Sequence, residues 1–141
     1  MIGWERMKFR EIKLKTGNRI FLGKNAENND ELVKKFKGKE NVILHTSAPG
    51  SPFGVIEDGD TSKEEIREAG TFVAKYSQDW RDNKRDVIID VFTGKEVSKP
   101  WFAKAGLWNV KKSKKIKIKK IVKCGDYAPY TFRLCFDLAI I

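Results

Sequence analysis

Thirteen positions near the C-terminus constrain this chain most: from Lys111 to Lys123 there are eight lysines and no acid. Inside that run Lys115-Ile116-Lys117-Ile118-Lys119 alternates strictly, and Ile121-Val122 follows. A strand sends alternate side chains to opposite faces, so the isoleucines enter a core while Lys115, Lys117 and Lys119 line the other side. Neighbours on such a face stand about 7 Å apart, close to the phosphate spacing of a nucleic-acid backbone. An edge strand also uses lysines to block sheet-to-sheet aggregation. Three lysines suffice for that, and eight point further, to contact with a polyanion.

The remaining charge gives the molecule a polarity. Of 141 residues, 29 are basic and 19 acidic, a net +10. Glu57, Asp58, Asp60, Glu64, Glu65 and Glu68 form an acidic counterweight opposed only by Lys63 and Arg67. One basic stripe and one acidic face steer polyanions to one side. The length fits one domain, and 40% hydrophobic with 11% aromatic residues allows a packed core. No window reaches the ~20 apolar residues of a membrane helix. Glu5, Arg6, Lys8, Arg10 and Glu11 interrupt the N-terminus, so export is not expected and the cytoplasm is the expected setting. Two cysteines, Cys124 and Cys135, make no disulfide scaffold.

The single histidine, His45, excludes many catalytic and metal designs. CxxC, HExxH, GxxxxGK[ST] and GxGxxG are all missing, so neither a zinc site nor a common phosphate loop is expected. The expectation is a non-enzymatic protein with no metal and no cofactor. Glu64, Glu65 and Glu68 read as a helix face rather than an acid–base pair.

The pattern predicts a mixed α+β domain, with a mainly antiparallel sheet, one long helix and one short helix. Ile12 and Leu14 alternate with charged residues, Thr16-Gly17-Asn18 turns, and Arg19–Leu22 returns as a hairpin. Asn28 or Asn29 is the expected cap of a short helix ending at Phe36, before Gly38. Val42–His45 and Phe53–Ile56 read as strands around the turn Ala48-Pro49-Gly50-Ser51-Pro52. Thr61 or Ser62 caps the clearest helix, whose apolar face is Ile66, Ala69, Gly70, Val73 and Tyr76 or Ser77. Trp80–Arg85 reads as its basic exit, 86–93 as a β-branched strand, and 106–110 and 115–122 as two more.

From Phe9 to about Lys120 the chain resembles the NFACT-R domain, the RNA-binding module of ribosome-quality-control NFACT proteins, also found as a stand-alone protein. The matching pieces keep the family's order: Gly23-Lys24-Asn25-Ala26-Glu27-Asn28-Asn29-Asp30-Glu31-Leu32, Ile43-Leu44-His45, Pro49-Gly50-Ser51, and Ala74-Lys75-Tyr76-Ser77. Phe92-Thr93, Val97-Ser98-Lys99-Pro100, Ala103-Lys104-Ala105-Gly106 and the Lys-Ile-Lys strand complete the series. The resemblance implies an α+β, non-enzymatic RNA-binding module over residues 1–123, with tRNA or ribosomal RNA as partner. Its full-length relatives act on large ribosomal subunits, but the nuclease-like domains and coiled coil of those proteins are not in this sequence. The chain departs from the family's pattern at the short uncharged loop after His45, at Pro52 for a usual His, and at Glu57 for a basic residue. Phe102 also replaces a glycine and Ala105 a proline, which moves the expected contact to the surface between Lys99 and Lys120.

On that surface Lys111, Lys112, Lys114, Lys115, Lys117, Lys119 and Lys120 supply the field, and Lys99 and Lys104 position the RNA backbone. Trp101, between lysines, stacks on a base or, with Phe102, seals the core. His45 is either a satisfied strand residue or a phosphate or base contact. Asn25 and Asn29, with Asp30, make turn and cap hydrogen bonds or reach a ribose hydroxyl. The tail 124–141 is expected to add a strand or to make a dimer or partner contact, and Arg133 and Asp137 argue against membrane insertion. Docking on acidic or ribosomal proteins, and non-specific DNA binding, are the alternatives to RNA.

Overall fold

A computed structural model describes residues 8–83 and 86–119. The elements are β1 (Arg10–Lys13), β2 (Arg19–Leu22), α1 (Ala26–Phe36), β3 (Val42–Thr46), β4 (Gly54–Ile56), α2 (Lys63–Lys75), α3 (Gln78–Asn83), β5 (Val87–Thr93), β6 (Val97–Ser98), β7 (Asn109–Val110) and β8 (Lys114–Ile118). Six strands form one sheet in the order β1-β2-β4-β3-β5-β8, every pairing antiparallel, and β6 with β7 forms a separate pair. The fold is α+β.

Period-two alternation sets which helix covers which face. Phe21, Ile43, Val55 and Phe92 project to one side and pack with Leu32, Val33 and Phe36 of α1. Ile20, Leu22, Leu44, Ile89 and Ile118 project to the other and pack with Ala69 and Val73 of α2. Helix α2 lies so close that a Cβ on Gly54 would stand 2.7 Å from Val73 Cγ2, so only glycine fits there. Ile116 and Ile118 face α2, as the alternation requires, with Ile118 fully buried.

The N-terminal hairpin forms as the turn residues dictate. Gly17 takes φ 95, and the Leu14 N–H donates to the Asn18 carbonyl at 2.7 Å. Helix α2 is capped by Ser62 in a reciprocal box with Glu65. Glu65 also accepts from the Thr16 hydroxyl at 2.6 Å, which together with the Ser62 N–H holds its carboxyl below the usual range despite burial. Glu68 accepts from the Lys15 N–H with both oxygens, at 3.1 and 3.2 Å. These carboxylates rivet the β1–β2 turn onto α2 and are structural.

Three local expectations change. The cap of α1 is Asn25, whose side chain accepts from the Asn28 N–H at 2.8 Å, so the helix starts earlier and runs 11 residues against 13 for α2. The segment after α2 is the short helix α3, because Ser77 Oγ accepts the Trp80 N–H at 3.1 Å and restarts helical bonding. Residues 106–110 contribute only the two-residue strand β7. The expected continuation of the last strand from Lys120 to Val122 and the tail 124–141 with both cysteines lie outside the described residues.

Candidate nucleic-acid interface

The segment Gly23–Asp30 is a clasp whose short polar side chains each close one backbone bond. Asn25 caps α1, and Asn28 Oδ1 accepts the Lys24 N–H at 3.0 Å. Asn29 is buried and its Oδ1 accepts the Phe53 N–H at 3.0 Å, tying α1 to β4. A Cβ on Gly23 would meet that oxygen at 1.8 Å, so glycine is required beside it. Asn25 and Asn29 are therefore placed as cap and tie.

Asp30 reaches furthest. Its Oδ1 accepts from the Gly106 N–H at 2.8 Å, the Trp108 Nε1 at 2.9 Å and the Lys99 Nζ at 3.1 Å. Burial alone would raise its carboxyl; the Gly106 N–H, Lys99 and Trp108 outweigh that and hold it below the usual carboxylate range. The Lys99 ammonium also donates to the carbonyls of Lys104 and Leu107, at 2.9 and 3.0 Å, and lies 5.0 Å from the Trp108 ring centroid. Lys99, assigned above to an RNA backbone, is thus engaged inside the protein as the pin of the 99–108 loop. The pinned loop presents Trp101 95% exposed and Phe102 72% exposed, edge to face, with Lys104 exposed beside them. Neither aromatic seals the core.

Strand β8 is a sheet edge. By alternation Lys115, Lys117 and Lys119 share the α1 side, and Lys114 falls on the other. Lys115 donates to Asp90 at 2.5 Å and to Ser47 Oγ at 3.2 Å, so its charge is matched. Lys111, Lys112, Lys117 and Lys119 are exposed and make no ion pair among the described residues. The run therefore divides between two faces, and one of its lysines is neutralised.

His45, Asp90 and Lys115 are directly paired across β3, β5 and β8, forming one row on the sheet. The row ends at a cleft of about 560 Å³, where Asn25, Asn29 and His45 meet. Its other walls are Arg10, Lys24, Tyr76, Arg81, the 49–52 turn and residues 105–107. Arg10 lies over the Tyr76 ring at 4.2 Å, and His45 stacks on Phe53 at 4.2 Å. Sequence reasoning missed Arg10, Tyr76 and Arg81 as members of this site. The Pro-Gly-Ser turn beside His45 was the one local signal of it.

Burial pushes the His45 imidazole below its ordinary 6.5, against backbone bonds at Thr46 and Ser51 and the charge of Asp90. The unfolded chain then binds the proton more readily than the folded one. His45 thus favours folding fully above pH 6.5, and that contribution is lost as pH falls through the lower folded value. The melting temperature should fall as pH drops below 6.5, and His45→Gln should flatten that limb; identical profiles would contradict the assignment.

Residues 8–121 match the family described as the NFACT protein RNA binding domain. The archaeal Rqc2 homolog aRqcH of Methanocaldococcus jannaschii is 28% identical over 64 residues, which is 44% of this chain. That stretch spans 10% of the length of this curated relative. The C-terminal structure of the fibronectin/fibrinogen-binding protein from Streptococcus suis superposes with a TM-score of 0.72 at 26% identity, covering 82% of this chain and 47% of that one. With the clasp, the antiparallel sheet and the lysine-bearing edge in place, the chain belongs to the NFACT RNA-binding domain family.

Proposed function

We propose that the protein is a non-enzymatic module that grips tRNA or ribosomal RNA, at the large ribosomal subunit, through phosphate contacts from β8 and the segment leading into it. The observation that carries this reading is the distribution of charge. From Val97 to Lys119 there is no acid, and Lys111, Lys112, Lys117 and Lys119 are exposed without an ion pair among the described residues. Membership in an RNA-binding family supports RNA over an acidic protein as the polyanion. Trp101 supplies a stacking surface beside Lys104. Lysines act on phosphates as point charges, so sequence preference is weak.

Four lysines engaging four phosphates give log affinity a slope against log salt near −3 on an unpaired strand, since each contact contributes about −0.7. Fluorescence anisotropy with labelled tRNA across a salt series measures it. A flat response overturns the mechanism, and equal displacement of tRNA by duplex DNA of matched charge overturns the choice of RNA.

A further inference from the structure

The cleft at the end of the sheet sets cationic side chains beside aromatic and imidazole rings. Arg10, Lys24 and Arg81 border it and no carboxylate does among the described residues, in a chain with 19 acids. We propose that this cleft receives one unstacked nucleotide of the bound RNA, its base in the cavity and its flanking phosphates on the cationic rim. The proposal rests on the RNA-binding reading and adds to it a contact that sees a base.

Volume, chemistry and continuity each support that occupant. At about 560 Å³ the cleft lies within the range of small-molecule sites, roughly 300–1,000 Å³. Unpaired RNA bases are held on aromatic rings, imidazoles and guanidinium groups. Here Arg10 is already seated over Tyr76 and His45 against Phe53. Both pairs are held by the fold itself, so a base meets surfaces that need little reordering. The wall opposite is fixed too: Gly50 takes φ 91, and its carbonyl accepts the Gln78 N–H at 2.8 Å.

Continuity selects an RNA chain over a free mononucleotide. His45, Asp90 and Lys115 are paired across three strands, and Lys117 lies one pleat beyond on the same face, opposite Ile88. The Ile88 carbonyl takes the Ser47 N–H at 2.9 Å, which sets Lys117 level with the residue where the turn leaves β3. Lys117 thus stands two strands, or about 10 Å, from the turn that lines the cleft and on the same face, a span that one or two nucleotides of backbone cover.

Two RNA hairpins of equal length and phosphate number test this. One carries a single unpaired adenosine in its stem, the other an abasic ribose at that position. The wild-type protein should bind the first roughly tenfold more tightly, as expected when one base stacks on protein. Ala105→Phe, which fills the mouth without changing charge, should erase that difference and leave the abasic affinity as it was. Arg81→Ala, at an exposed rim position, should shrink the difference and provides a second test should Ala105→Phe lower the melting temperature. Equal wild-type affinity for the two hairpins overturns the proposal. So does saturable binding of free AMP accompanied by equal hairpin affinities, which would make the cleft a mononucleotide site. Failure to bind either hairpin at low salt instead removes the RNA reading beneath it.

Discussion

Replacing Asp30 by alanine should cost about 2–3 kcal/mol of stability, because the lost carboxylate leaves a half-buried ammonium and two donors without their acceptor. In a domain of this size that is a fall in melting temperature near 10 °C. The three bonds lost run to Gly106, Trp108 and Lys99, far along the chain, so the damage should localise. Limited proteolysis should cut between 99 and 108 first, and Trp108 fluorescence should shift before global unfolding. Asp30→Asn keeps an acceptor for the Gly106 N–H and should lose about half as much. In a double-mutant cycle Lys99→Ala should add little once Asp30 is gone. The depressed carboxyl fixes the pH response as well. Its contribution is present above the ordinary value of 3.8 and disappears as pH falls through the lower folded value, so acid should loosen the loop in the wild type and not in Asp30→Ala. A variant within 0.5 kcal/mol of wild type would mean the loop is held by something else.

Removing the charges of Lys117 and Lys119 together should weaken tRNA binding by about 25- to 60-fold at 0.1 M salt. That figure follows from counterion release, since each phosphate contact contributes a factor of about 5 to 8 relative to 1 M salt. Lys117→Gln with Lys119→Gln tests it, the salt slope should become shallower by about 1.5, and glutamates at both positions should deepen the loss. Both side chains are exposed and the pairing of Lys117 with Ile88 is untouched, so the melting temperature should stay within about 2 °C. Lys115→Gln is the informative control. Its ammonium already sits on Asp90, so its loss should cost affinity far less than either neighbour. Equal losses from all three would show that the Asp90 contact leaves Lys115 available to phosphate.

Local rules read much of this fold from sequence. The Thr16-Gly17-Asn18 turn and the hydroxyl cap at Ser62 are satisfied by neighbours a few residues away, and the alternation through Ile116 and Ile118 is a period-two pattern, so spacing alone predicts them. The start of α1 was misplaced because Asn25, Asn28 and Asn29 are chemically equal candidates for a cap. Only the fold assigns the first to the helix N-terminus, the second to Lys24 and the third to Phe53. Asp30 and Lys99 were harder still. They lie 69 positions apart, and nothing local distinguishes an acid that pins a distant loop from one that faces water. The cleft draws on Arg10, His45, Tyr76, Arg81 and Ala105 and so exists only after the sheet has closed.

The clasp bears on how the aromatic loop meets a partner. A segment stitched to Asp30 by three bonds has surrendered its backbone freedom at the folding step, before any encounter. Stacking on Trp101, in the function proposed above, would then resemble the closing of two rigid bodies, with a small heat-capacity change and an association rate set by diffusion and charge. Severing the clasp would convert the same recognition event into coupled folding and binding, slower to assemble and steeper in its dependence on temperature.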